Sequence, residues 1–494
     1  MRLARLVPFA VVVGLMFLLG VHTLSSIYQD IGRHLTLGRV IWETGSVPAT
    51  NLFSYTNPDF PFSNHHWFAE VLLFGGERAV GLRRLIVVKA AVVATAFGLA
   101  LAACWRTRTA PWGIAAGVLA ALVMMERTDL RPEVMSFLFL GWFLFVLYRR
   151  PRTWLVWTLP AVAAVWVNTH VYFFMGPFVV LAWWAGEITR SGTSALKAKR
   201  YWLLAGLVGL ATLGNPHGLA GAVYPLTLWG NYGYSIAENK SPFFLRPFGY
   251  PWLTSWAMLA SIAVAAASFI INRKQLRGNV FGLLLLAGAA PLALTMIRNF
   301  PLLALCMMPV VLKNLDEGKW HWRSRAAVGW GIALVALLGA SVVTGHFVRH
   351  VGLGGRDFGL TVPVGPQEPV DFFRAAGIKG PLLNNFDVGS FLIWKLPEEP
   401  VFIDGRPEAY PAAFIRNTYI GMQEYPAVWA RESKRYGINA VFWNERDITP
   451  WSRAFVARIT ADPGWVTVYR AHGIIILVRN SPRNAAIIAA HRLK

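Results

Sequence analysis

Residues 28–45 read YQDIGRHLTLGRVIWETG. Ile31, Leu35, Leu37, Val40 and Ile41 fall roughly on one side of a helix, the pattern of a segment lying in the plane of a membrane interface. The stretch is bracketed by two apolar runs, near 5–27 and 84–104. Between helix and second run lie a turn-rich piece, SVPATNLFSYTNPDFPFSN, and another amphipathic segment, HHWFAEVLLFGGERAVG. Residues 28–83 therefore read as a long outer loop joining two membrane spans.

The pattern continues outward. A transmembrane helix needs about 20 mostly apolar residues. Spans are expected near 5–27, 84–104, 111–125, 134–148, 153–168, 171–187, 201–214, 254–271, 279–296, 299–312 and 326–344. The first is too long for a cleaved signal peptide, and no A-x-A site precedes Asp30, so it reads as an anchor. Composition agrees: the 494 residues are 55% hydrophobic and 15% charged, with mean hydropathy +0.45. A soluble domain carries about 25% charged residues, so an ordinary cytosolic enzyme and a disordered chain are both excluded. Cys104 and Cys306 lie in apolar runs and make neither a disulfide framework nor a cysteine metal site.

The formal net charge of +22 would point to nucleic acid on a soluble protein. Here its distribution reports topology. Connections on one side of the spans hold 18 basic and three acidic residues; the opposite connections and the spans themselves, up to 345, hold 11 and nine. The positive-inside rule puts the N-terminus in the cytoplasm, and eleven crossings put the C-terminus outside. Nucleic acid is thereby set aside as a partner, and a bacterial inner membrane is the expected location.

A second outer loop, 215–253, is rich in Gly, Pro, Tyr and Trp. Near Gly345 the composition changes. PLLNN, PVFID, NAVFW, WVTVY and IIILV read as strands, and EPVDFFRAAG, VGSFLIWKL, AVWARESKRYG and PWSRAFVARIT as helices. That alternation predicts a multi-span α-helical membrane domain over 1–345 followed by an extracytoplasmic α/β domain over 346–494, with a basic tail from Arg479 open to disorder.

Charged groups held at the outer membrane face are functional candidates by default. Asp30 stands where the first span leaves the membrane. A carboxylate there suits a general base or a ligand for a divalent cation, Mg or Mn; helix capping is the alternative. His34, one turn later, suits a metal, a polarised hydroxyl or a structural bond to Asp30. His66 and Glu70 share a helix face, fit for a metal or an interface anchor. Arg131 with Pro132 and Glu133 opens the fourth span, Asn168 and His170 fill a turn, and Asn215 and His217 follow the seventh span. Arg131, Arg246 and Arg298 are outer arginines beside apolar runs; their planar forks match phosphate oxygens, with headgroup snorkelling as the alternative. Asp404 and Arg406 sit at a strand's C-terminal end, where α/β sheets bind ligands and where a buried pair also fixes turns.

Taken together, DIGRHLTLGRVIWETGSVPATNLFSYT, HHWFAEVLL, RPE, WVNTH, NPHG, NNFDVGSFLIW and VFIDGRPEAY resemble GT-C glycosyltransferases. These are integral-membrane enzymes that use polyprenyl-phosphate-linked sugars, such as protein O-mannosyltransferases and aminoarabinose transferases. The resemblance implies a GT-C-like fold and a catalytic aspartate in the first outer loop, carried over to Asp30. Many relatives have Asp-Glu or Asp-x-Asp there; here the residues are Gln29-Asp30-Ile31. A WWD acceptor motif of oligosaccharyltransferases is absent, which argues against N-glycosylation.

The expected activity is transfer of a sugar from a polyprenyl-phosphate donor to a lipid, glycan or protein acceptor outside the membrane, with inversion. A transporter or flippase of lipid-linked glycans would need polar residues in mid-span and broken helices. The spans here are almost purely apolar, and the polar groups gather at one face. A non-catalytic cell-envelope assembly protein is the other alternative.

Overall fold

The computed structural model describes residues 6–24, 30–227, 232–321, 324–363 and 367–493. Both ends of the first expected span (residue 5 and residues 25–27), Gln29, and 228–231 of the second outer loop lie outside them. The chain forms two compact, discontinuous units: Met1–Leu24, Ala79–Leu226 and Ile236–Thr361 make one; Ser25–Arg78, Thr227–Ser235 and Val362–Lys494 make the other.

Every expected span carries a helix among the described residues: Val7–Gly20, Trp67–Cys104 (of which Ala79 onward belongs to the first unit), Ala110–Met124, Glu133–Arg149, Trp154–Trp166, Val171–Ser191, Lys199–Ala211, Trp252–Ile271, Val280–Thr295, Phe300–Glu317 and Arg325–Val343. Five are long and apolar enough to cross a bilayer by themselves: Trp67–Cys104, Thr107–Arg127, Val171–Ser191, Trp252–Ile271 and Arg325–Val343. At 1.5 Å per residue, a helix such as Lys199–Ala211 is shorter than the roughly 30 Å hydrocarbon layer. Phe300–Glu317 is buried almost throughout and forms the centre of the unit, against Ala110–Met124, Val280–Thr295 and Trp252–Ile271. Arg325–Val343 instead buries only Val335, Gly339 and Val342, and exposes Trp330, Leu334 and Leu337, an apolar surface that suits lipid. The fold is thus a multi-pass helical membrane protein with a C-terminal α/β segment.

The second amphipathic segment of the first loop and the second span form one 38-residue helix, broken at Gly81 (φ 75°, ψ 159°). Only glycine takes that conformation readily, so the break falls on the one residue there that permits it.

The second unit is built on a four-stranded mixed sheet of order β1 (Leu382–Asn384), β2 (Ala440–Asn444), β4 (Ile474–Arg479), β3 (Trp465–Ala471). β1 and β2 are parallel; the other pairs are antiparallel. Both faces are apolar. Val441, Trp443, Ile475 and Leu477 pack with Trp429, Phe455 and Tyr419 on one side. Ala440, Phe442, Ile474 and Ile476 pack with Phe373, Val388 and Phe391 on the other. The first outer loop contributes Phe62 to the former core, while Phe53 packs against the latter.

Three expectations change here. PVFID is not a strand of the sheet: it makes a single bridge with Ser54. The Asn384 side chain takes a strand neighbour's place, accepting from the Phe402 N–H (2.9 Å) and donating to the Ile403 carbonyl (2.7 Å). The tail is ordered, with a helix at Ala485–His491 and Asn484 buried against Asn439 (3.0 Å). The Ile31–Thr44 helix buries all of 31–38, polar positions included, so its first half is a core helix and not one with a solvated face. A Cβ on Gly32 would lie 2.4 Å from the Ser390 carbonyl oxygen, which shows how closely this helix meets Phe386–Lys395.

Candidate active site

Asp30 occupies the N-cap position of the Ile31–Thr44 helix in left-handed backbone conformation (φ 55°, ψ 5°), and its side chain makes no capping hydrogen bond. Aspartate tolerates this region better than most residues, but it remains an uncommon state that clusters at functional sites. Its carboxylate is turned elsewhere. Oδ1 accepts from the Ser390 hydroxyl at 3.1 Å and lies 3.8 Å from Nε of Arg33. The Asp30 side chain is 28% exposed while Arg33 is buried.

The hold depends on a missing side chain. A Cβ at Gly405 would stand 2.7 Å from Asp30 Oδ1 and 2.8 Å from Ser390 Oγ. Gly405 is flanked by a fully buried pair. The Arg406 guanidinium donates to both oxygens of Asp404 (2.7 and 2.8 Å) and to Asn51 Oδ1 (2.7 Å), and Tyr410 donates to Asp404 (2.8 Å). Burial alone would raise the Asp404 carboxyl; the Arg406 guanidinium holds it below the usual range. Phe53 and Phe62 pack on the guanidinium, 5.2 and 4.8 Å from its carbon.

A second polar chain adjoins in the same unit. His34 Nδ1 is 2.9 Å from Glu70 Oε1, and Asn64 donates to Oε2 at 2.6 Å. The His66 ring meets the His34 ring edge-on, with centroids 5.8 Å apart. His34 therefore bonds to Glu70, on the neighbouring helix. Asp387, one helical turn before Ser390, is pushed up to about 7 by burial and then by the negative charges of Asp447 and Asp30.

Among the described residues no three His, Cys, Asp or Glu side chains group to hold a metal ion. The two described neighbours of Asp30 Oδ1 are a hydroxyl and a guanidinium, and neither is a ligand for a divalent cation of the carboxylate or imidazole kind. His66 is drawn toward His34 and His65 by ring contacts.

The first unit gathers two of the three arginines. Arg131 Nη1 bonds Glu238 at 2.5 Å, and Arg298 Nη1 bonds the adjacent Asn239 at 2.9 Å. Arg127, which the sequence reading passed over, bridges Glu133 (2.7 Å) and Glu238 (2.7 Å). Burial would raise Glu238, but Arg127 and Arg131 hold it well below the usual carboxylate range. Arg246 stands apart, exposed, its guanidinium 3.7 Å from the Trp252 ring centre. His170 bonds Ser136 (3.1 Å) and receives the Tyr172 N–H. Asn168 donates to the Ala164 and Gly214 carbonyls, tying two turns together. Asn215 closes its own turn onto Thr212 and Gly218 and accepts the His217 N–H.

Sequence reasoning missed Arg33, Ser390, Gly405, Asn51 and Asp387. NNFDVGSFLIW and VFIDGRPEAY were among the motifs that carry the resemblance, but nothing in their spacing says that they meet Asp30 some 360 residues earlier.

No family model matches this sequence, and no curated protein does. Solved structures do. The archaeal oligosaccharyltransferase AglB from Archaeoglobus fulgidus, in complex with an inhibitory peptide and a dolichol-phosphate, is similar over 98% of this chain and 75% of its own (TM-score 0.59, 11% identity). ArnT from Cupriavidus metallidurans bound to undecaprenyl phosphate is similar over 98% and 99% (TM-score 0.50, 14% identity). The A. fulgidus oligosaccharyltransferase has also been solved with Zn and sulfate (TM-score 0.51, 11% identity, 95% and 73% covered). At these identities the likeness is one of fold, and it is the GT-C fold that the sequence motifs resembled.

Proposed function

We propose, from the GT-C fold this chain carries, that it is an integral-membrane glycosyltransferase. It moves a sugar from a polyprenyl-phosphate donor to an extracytoplasmic acceptor hydroxyl, with inversion at the anomeric carbon. The observation that carries this reading is Asp30: a partly exposed carboxylate at a helix start that does not cap the helix, strained in backbone and held at Oδ1 by Ser390 beside Arg33. Such a group is shaped to receive a proton. Similar folds hold dolichol-phosphate and undecaprenyl phosphate, which supports a polyprenyl-phosphate donor here.

In this reading the acceptor oxygen attacks the anomeric carbon from the side opposite the phosphate. Its proton passes to the Asp30 carboxylate, and the bond from carbon to phosphate oxygen breaks with its electron pair leaving on the lipid phosphate. Arg131, Arg246 and Arg298 are the phosphate ligands in the proposal. Arg131 and Arg298 are pre-positioned by Glu238 and Asn239, so little side-chain entropy is lost on binding. Arg33 supplies beside Asp30 the positive charge that a metal supplies in other sites. His34, His66 and Glu70 brace the helix start; Asp404 and Arg406 brace Gly405. The remaining proposed assignments are eleven crossings with the C-terminus outside, in a bacterial inner membrane, and Asn168, His170, Asn215 and His217 as outer-face positioning groups.

The test is transfer from undecaprenyl-phosphate-linked sugars to a panel of glycan, lipid and peptide hydroxyl acceptors by the purified full chain, with EDTA and without. Asp30→Asn should lower turnover by about 10²–10⁴-fold without loss of fold. A folded Asp30→Asn protein with full activity refutes the assignment.

A further inference from the structure

Five helix ends of the first unit meet on the side that carries the basic connections. They are the C-terminal ends of Trp67–Cys104, Glu133–Arg149, Val171–Ser191 and Phe300–Glu317 and the N-terminal end of Val280–Thr295. A cavity of about 160 Å³ lies among them. Cys104, Leu147, Trp183 and Phe281 give it an apolar wall, and its charged lining is Arg106, Arg190, Lys313, Glu187, Asp316 and Glu317. None of these residues takes part in the proposed transfer. Arg131 precedes the other end of Glu133–Arg149, a 17-residue helix about 25 Å long, and Arg298 precedes the other end of Phe300–Glu317.

The hydrogen-bonding capacity of the lining is spent unevenly. Every carboxylate is engaged. Glu187 accepts from Arg190 (2.9 Å) and Tyr201 (3.2 Å), Asp316 from two nitrogens of Arg108 (2.5 and 2.7 Å), and Glu317 from Lys313 and from Asn272 (3.2 Å). What remains over is donor. The Tyr148 hydroxyl is buried with no hydrogen-bond partner among the described residues, while its ring rests against Phe281, centroids 4.6 Å apart. Arg106 carries five N–H groups and makes one hydrogen bond among the described residues, to the Trp105 carbonyl (3.0 Å). Buried polar groups without partners are rare, and such a group lining a cavity marks where a partner comes from outside the chain.

We propose that this cavity binds a phosphate group, with the Tyr148 hydroxyl and the Arg106 guanidinium as its donors. A cationic ligand would find each carboxylate already paired, and an apolar one would leave both donors unmet. A phosphate brings acceptor oxygens for both, and its negative charge and geometry match the guanidinium fork. It arrives as a phospholipid headgroup, whose chain the apolar wall suits, or as free phosphate.

The test is thermal unfolding of the purified full chain in detergent, titrated in separate arms with inorganic phosphate and with short-chain phosphatidylglycerol. Tryptophan fluorescence reads it, with Trp183 in the cavity wall. Ligand that binds the folded chain raises the midpoint. A response to the lipid alone assigns a headgroup; a response to inorganic phosphate, with or without the lipid, assigns the free group. Tyr148→Phe keeps the ring against Phe281 and removes only the hydroxyl. It should weaken the responding ligand about 10-fold, and Arg106→Gln by at least as much. Lys274→Gln, an exposed basic residue of the same side outside the cavity lining, should leave binding unchanged. No shift in either arm overturns the inference. So does a shift undiminished in Tyr148→Phe or in Arg106→Gln. A shift that Lys274→Gln weakens equally also overturns it, because the ligand is then drawn to the basic face as a whole.

Discussion

Replacing Asp404 by asparagine isolates the electrostatics of the buried pair. Asp404 and Arg406 are both fully buried, and the carboxylate receives two guanidinium N–H groups, the Tyr410 hydroxyl (2.8 Å) and the Arg406 backbone N–H (3.1 Å). Asparagine keeps the shape and one acceptor oxygen but turns the other into a donor, facing both Nη2 of Arg406 and the Tyr410 hydroxyl. Arginine cannot shed its proton. A full positive charge is then left in the core with neutral acceptors in place of the carboxylate, the retained amide oxygen and Asn51 Oδ1 (2.7 Å). Breaking one half of a buried pair costs about 3–5 kcal/mol. The double variant Asp404→Asn/Arg406→Met removes the stranded charge and should recover a large part of that loss, so the two substitutions should be strongly non-additive. The assay is denaturant unfolding of the purified full chain, followed by tryptophan fluorescence; Trp443, Trp429 and Trp465 lie in the adjoining core. A single variant within about 1 kcal/mol of wild type, or a double variant as unstable as the sum of the singles, would refute the reasoning.

Asp387 carries a carboxyl raised to about 7 by burial, then Asp447 and Asp30, against an unfolded value near 3.9. Its folded form therefore favours the proton, and that contribution is present in full below about pH 4 and lost as pH rises toward 7. Asp387→Asn should accordingly gain stability relative to wild type between pH 4 and 7 and level off above; thermal-shift curves that stay parallel across this range would contradict it. A Cβ on Gly38 would lie 2.1 Å from the Glu70 carbonyl oxygen, so Gly38→Val must push the Ile31–Thr44 helix off the start of Trp67–Cys104. The expected loss exceeds about 2 kcal/mol, and unchanged thermal stability would be the contrary result. Arg131→Gln should weaken undecaprenyl phosphate binding about 10-fold while leaving Glu238 paired with Arg127 (2.7 Å), so titration with the lipid should report the loss at nearly constant stability.

How much of this was legible beforehand follows from how local each signal is. Apolar runs of helix length marked a helix at every span expected in 1–345, because a bilayer demands internal hydrogen bonding over a fixed thickness and the residues that meet the demand are contiguous. The four strands that did form and the resemblance carried by DIGRHLTLGRVIWETG were equally local. Asp30 was identifiable for the same reason: an acid directly after an apolar run is anomalous wherever it folds.

What only the tertiary structure decided were the partners. His34 bonds Glu70 across 36 residues, Asn51 holds Arg406 across 355, and Ser390 reaches Asp30 across 360. The PVFID segment had the composition of a strand, yet a side-chain amide from Asn384 satisfies its backbone instead. Whether Asp30 caps its helix or turns to another partner depends on a glycine, Gly405, whose role is to be empty. Composition and periodicity record how a residue relates to its near neighbours and to solvent. A hydrogen bond between distant segments, or the space that allows it, leaves no periodic trace, so candidate residues could be named in advance and their geometry could not.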